Sequence, residues 1–143
     1  MEVSEVRRRV RAAIEAARKS AQDRRVRTDQ AAREYEQFLL ERAVPLFHTF
    51  AGALNAEGHR FKVYTPADSV RLSLDTAADD YIEVTLDDTV DPPVVMGRTN
   101  RGRGRRQLTS ERPVRETAGS VADVTAEDVL DFLASEIGPF VER

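Results

Sequence analysis

Apolar residues at Val3, Val6, Val10, Ile14, Ala17 and Ala21 recur at intervals of three and four, with arginine and glutamate between them, which is the period of an amphipathic helix. The stripe thins between Gln22 and Gln30, where Val26 alone is strongly apolar. It then resumes with Ala31, Tyr35, Phe38, Leu39, Ala43, Leu46, Phe47, Phe50 and Leu54. This second run carries the larger side chains and is the better core candidate. Asn55-Ala56-Glu57-Gly58 supplies a stop, with Gly58 suited to a left-handed cap. The pattern predicts helix over residues 2–57, with a kink or short break near Arg42–Val44 because Pro45 lacks a backbone donor and crowds the preceding turn. Thr28-Asp29 is a second candidate break.

A continuous helix of that span would measure about 84 Å at 1.5 Å per residue. A compact chain of 143 residues has a radius of gyration of only about 14–15 Å. Either the segment folds back as a hairpin near residues 22–29, or its first half projects and finds apolar cover on another chain. The polar stretch Gln22–Gln30 contains neither Gly nor Pro to make a reversal. The expected assembly is therefore a homodimer in which the N-terminal helices cross or pair as a coiled coil.

After Gly58 the period becomes two. Phe61 and Val63 alternate with Lys62 and Tyr64; Val70, Leu72 and Leu74 with Arg71, Ser73 and Asp75; Ile82, Val84 and Leu86 with Glu83, Thr85 and Asp87. Thr76–Asp80 reads as the connection between the second and third strands. Pro92-Pro93 imposes an extended entry into Val94-Val95-Met96, a fifth strand lies within Arg105–Ser110, and Ala118-Gly119-Ser120 reads as loop. The last helix has the most specific local signal. Thr125 is an N-cap with Asp128 three residues on, and Val124 and Val129 form a hydrophobic staple around it. Gly138-Pro139 kinks or ends that helix.

The predicted fold is α+β: a long, kinked or broken N-terminal helix, an antiparallel meander of four or five strands, and a C-terminal helix on one face. Residues 1–57 form the helical segment, and residues 58–143 form the sheet with its helix as one unit with the second half of the long helix. The expected core packs Phe61, Val63, Val70, Leu72, Leu74, Ile82, Val84 and Leu86 against Tyr35, Phe38, Leu39, Phe47, Phe50, Leu130, Leu133 and Ile137.

Composition narrows the function classes. The chain has no cysteine, which removes disulfides, thiolate metal sites and cysteine nucleophiles and fits a reducing cytoplasm. No apolar run approaches the roughly 18–20 residues of a membrane span, and the charged start has no apolar region behind it, so export and membrane partners are not expected. The net charge of −3 conceals blocks: residues 61–97 hold 2 basic and 8 acidic side chains, residues 98–115 hold 7 and 1, and residues 116–143 hold 1 and 7.

His48 and His59 lack the spacing of a zinc site, and Asp79-Asp80 and Asp87-Asp88 fall where turns and strand ends are expected. No nucleophile elbow and no phosphate loop of the Walker type is present. No catalytic residue, metal or cofactor is therefore assigned. The unusual feature is the Arg-Gly stretch 98–106, whose Arg98, Arg101, Arg103, Arg105 and Arg106 suit an acidic protein partner or phosphates. It contains no aromatic residue for base stacking, which weakens a nucleic-acid reading. The sequence thus points to a non-enzymatic interaction or scaffold protein that self-associates through its N-terminal helix. The alternative is a nucleic-acid or other anion-binding accessory factor using the Arg-Gly hairpin.

Overall fold

The computed structural model describes residues 1–117 and 119–142. Helix α1 (Val3–Phe38) passes through one π-helical turn (Leu39–Ala43) into α2 (Val44–Ala56). The strands are β1 (Phe61–Tyr64), β2 (Val70–Leu74), β3 (Ala77–Asp87), β4 (Val94–Arg103) and β5 (Arg106–Pro113). A short 3-10 turn (Val121–Asp123), α3 (Ala126–Glu136) and α4 (Gly138–Val141) complete the chain. The sheet is an antiparallel meander in the order β1-β2-β3-β4-β5. The α+β arrangement expected from the periodicities is present, with five strands.

The helix differs from expectation in one informative respect. Neither the fold-back near residues 22–29 nor a break at Thr28-Asp29 occurs, because α1 is uninterrupted from Val3 to Phe38. No residue in that stretch forces a departure from helical geometry. The disturbance ahead of Pro45 is a wider turn instead of a break. The Val44 N–H donates to the Leu39 carbonyl, five residues back, and Pro45 then opens α2 where a missing N–H costs little. The helix ends as expected, with Gly58 at φ 90°.

Alternation sets the two faces of the sheet. Phe61, Val70, Leu72, Ile82, Val84 and Val95 are buried on the inner face, against Tyr35, Phe38 and Phe47 from the long helix and Val129, Phe132 and Leu133 from α3. Leu130, expected in this core, is 38% exposed, because Val129 and Phe132 hold the sheet-facing positions of α3. At the centre the Phe132 ring lies on the bare backbone of Gly97: a Cβ there would stand 2.1 Å from the ring. Burial of such a ring contributes roughly 1.5–3 kcal/mol.

The β2–β3 connection is tighter than expected. Asp75-Thr76 alone makes the turn, the register shifts between Ser73 and Leu74, and Ala77–Asp80 extend the strand. Gly104-Arg105 turns β4 into β5, with Gly104 at φ 62°. Thr125 caps α3 as the sequence indicates: its hydroxyl accepts from the Asp128 N–H, and the Asp128 carboxylate accepts from the Thr125 N–H. Val124 and Val129 are both buried beside it. Of the expected loop at Ala118–Ser120, Ala118 lies outside the described residues.

Candidate functional site

The first surface to consider is the N-terminal part of α1. Ala31 is the first residue of α1 that is buried, so some 28 helical residues, about 42 Å at 1.5 Å each, precede the first core contact. Along them Val3, Val6, Val10 and Ile14 are 67, 45, 53 and 46% exposed. Val3, Val10 and Ala17 stand at seven-residue intervals from Arg24, Ala31 and Phe38, but such steps drift about 20° each around a straight helix, so the exposed stripe lies partly round from the face that is buried further on, toward the flank of Ala32, Glu36 and Leu39. Residues 1–30 carry 9 basic and 5 acidic side chains. Arg7 and Arg11 border the stripe, while Glu5 binds Arg8 and Arg9.

This arm is fixed where it leaves the rest of the molecule. Arg27 donates from Nε and Nη2 to the two carboxylate oxygens of Asp91 at 3.0 and 2.7 Å. That hydrogen bonding holds the Asp91 carboxyl below its ordinary value and raises the Arg27 guanidinium above its own. Two turns later the Tyr35 hydroxyl donates to the Asp68 carbonyl at 2.6 Å, and burial pushes its ionisation upward.

The Arg-Gly stretch does not form one site. A strand turns alternate side chains to opposite faces, and pairing of Ile82 with Thr99 places Thr99, and with it Arg101 and Arg103, on the inner side beyond the core. Arg98 lies on the outer face, where its Nε donates to Glu111 at 2.7 Å across the β4–β5 pair. Arg105 sits in the turn, and Arg106 pairs with Arg103 at the start of β5. Of the five arginines, Arg101 and Arg103 reach a shared cleft. They line an open cleft of about 630 Å³ with His59, Arg60 and Phe140, in which the acidic groups are Asp80 and Glu142. Asp80 is engaged by the Gly102 N–H at 2.8 Å, and Glu142 stands 3.9 Å from Arg103. Sequence reasoning missed Arg60, which reaches the cleft because the Gly58 cap turns the chain back across the end of the sheet.

A second cleft of about 860 Å³ has the opposite character. It lies between the flank of the long helix and the β1–β2 loop, with Leu39, Leu40 and Val44 on the helix side and Glu36, Asp68 and Asp88 around it. Among the described residues none of these three carboxylates has a cationic partner within 4.0 Å. Leu40, at 63% exposed, stands bare at its mouth.

The cleft also holds Glu83, only 4% exposed, which is compensated by Arg71 at 2.8 Å, while that guanidinium lies 4.0 Å above the Tyr81 ring. Glu83 and Arg71 looked like ordinary outward strand residues in the sequence. Nothing in the alternation distinguishes a solvated charge pair from one partly enclosed by the neighbouring loop.

His48 is exposed and His59 is half-buried in the basic cleft. Among the described residues no group of three or more His, Cys, Asp or Glu side chains is placed to hold a metal ion. No helix among them is long and apolar enough to cross a membrane. Comparison with protein-family models, with curated proteins and with solved structures finds no match to this chain.

Proposed function

We propose that the protein is a non-enzymatic interaction or scaffold protein that self-associates through its N-terminal arm. The observation that carries this reading is surface left over. The chain exposes 9590 Å², whereas a compact folded monomer of 16.0 kDa exposes roughly 7,400 Å². The excess, about 2,200 Å², is of the order of a whole protein–protein interface. Much of it belongs to a helix whose apolar stripe is too small and too polar in its surroundings to be stable without packing. Twofold homodimers are the commonest assemblies of soluble chains and cover such a stripe without a second gene product. The same proposal sets the protein in a reducing cytoplasm, which rests on the lack of cysteine. To test it, Val6→Asp and Val10→Asp are introduced together and compared with wild type by light scattering. The variant should run as a monomer with the melting of the sheet unchanged; an unchanged dimer would reject the arm as the interface.

A second reading is favoured by one specific observation, the convergence of Arg60, Arg101, Arg103 and His59 on one cleft. An anion-binding accessory factor would use these groups, and Arg98, paired to Glu111, would not take part. Calorimetry with pyrophosphate should show salt-sensitive binding that Arg60→Gln with Arg101→Gln abolishes and Arg98→Gln leaves alone. Absence of any heat of binding at low salt would reject this reading.

A further inference from the structure

We propose that the arm of one copy seats in the acidic cleft beside the long helix of a second copy, so that two α1 helices pair antiparallel. The inference rests on the self-association proposed above and adds the surface that receives the arm.

Charge opposes the simplest alternative. Two arms packed parallel would set residues 1–30, with 9 basic and 5 acidic side chains, against an identical stretch. Like charges in register oppose association, and the arm therefore needs an acidic receiver. The cleft has that chemistry: Glu36, Asp68 and Asp88 surround apolar Leu39, Leu40 and Val44. The three carboxylates lack cationic partners among the described residues, and Leu40 is uncovered. The arm offers the complement, with Val3, Val10 and Ile14 exposed and Arg7 and Arg11 one turn apart along the border of the stripe. A helix with an apolar stripe lying in an apolar groove of opposite charge is a recurrent mode of recognition.

The geometry closes by symmetry. The stripe spans Val3–Ile14 at one end of a continuous rod, and the helix wall of the cleft spans Ala32–Val44 at the other. An antiparallel pair overlapping along this rod, with its twofold axis near Asp23, lays each stripe on the other copy's cleft. Val10 then comes opposite Glu36, with Arg7 and Arg11 to either side, and Ile14 comes opposite Ala32. One complementary contact is made twice, as a twofold interface requires.

Charge exchange between full-length chains tests this arrangement. One variant carries Arg7→Glu with Arg11→Glu, the other Glu36→Arg with Asp88→Arg; all four positions are exposed. Sedimentation equilibrium is run on wild type, on each variant and on their mixture, with circular dichroism to confirm the fold. Each variant alone should dissociate at least tenfold more readily than wild type. The equimolar mixture should recover the wild-type affinity within about threefold, because each reversed arm then meets a reversed cleft and each natural arm a natural one. A wild-type monomer would overturn the self-association itself. A wild-type dimer whose variants still dimerise alone, or whose mixture fails to recover, would leave self-association standing and overturn the cleft as the receiver.

Discussion

The two halves of α1 share one apolar period, and they meet opposite fates. In the second half the stripe positions are Ala31, Tyr35 and Phe38, all buried against the sheet. In the first half they are Val3, Val6, Val10 and Ile14, all exposed. Side-chain size accompanies the difference. Tyr35 and Phe38 reach from the helix into the sheet, and their ring centroids lie 6.1 Å apart. Valine and alanine reach less far and suit a second helix lying close alongside. A periodic stripe therefore shows that a face wants cover, whereas the volume of its side chains indicates what kind of surface provides it.

Substitutions that separate the two halves sharpen this contrast. The largest effect is expected at Val84, fully buried at the centre of the sheet. Val84→Asp would bury an unpaired carboxylate, cost about 4 kcal/mol or more and abolish cooperative unfolding. A wild-type melting temperature would show that the inner face is wrongly assigned. Gly97→Ala comes next. Its Cβ cannot coexist with the Phe132 ring at 2.1 Å, so α3 must shift. A loss of about 3 kcal/mol is expected in chemical denaturation, at the upper end for overpacked cores. A neutral result would mean that Phe132 is free to swing away.

The smallest effect concerns the junction between the halves. The Arg27–Asp91 pair lowers the Asp91 carboxyl from its ordinary 3.8. The contact is therefore fully present above about pH 4 and is lost as pH falls through the lowered value. Hydrogen exchange around Arg27 should show faster opening of this turn in Asp91→Asn at neutral pH, with the difference from wild type vanishing in acid. Equal protection in the two proteins at neutral pH would show that the pair does not fix the arm.

The strands, their faces and the cap of α3 were legible because each is written in local chemistry: alternation in Val70–Leu74 and Ile82–Leu86, and Thr125 with Asp128. Pro45 was legible as a disturbance but not as a π turn, since the sequence states that a donor is missing and leaves open how the helix absorbs it. Leu130 was misplaced because a helix with apolar residues at 129, 130, 132 and 133 offers two nearly equivalent inner faces. The Arg-Gly stretch was legible as basic but not as divided, because the division depends on the strand register that sets Arg98 against Glu111 and Arg101 toward Arg60. Both clefts join residues distant in the chain and carry no sequence spacing. The exposed Val3–Ile14 stripe, a local pattern, pointed directly to a candidate surface.

Self-association through the arm is decided by sedimentation equilibrium on the intact chain over a wide concentration range. The expected mass is twice the 16.0 kDa of one chain at high concentration, falling toward the single mass on dilution. A mass of one chain at every concentration would contradict it, and the arm's apolar stripe would then stand without a partner of its own kind.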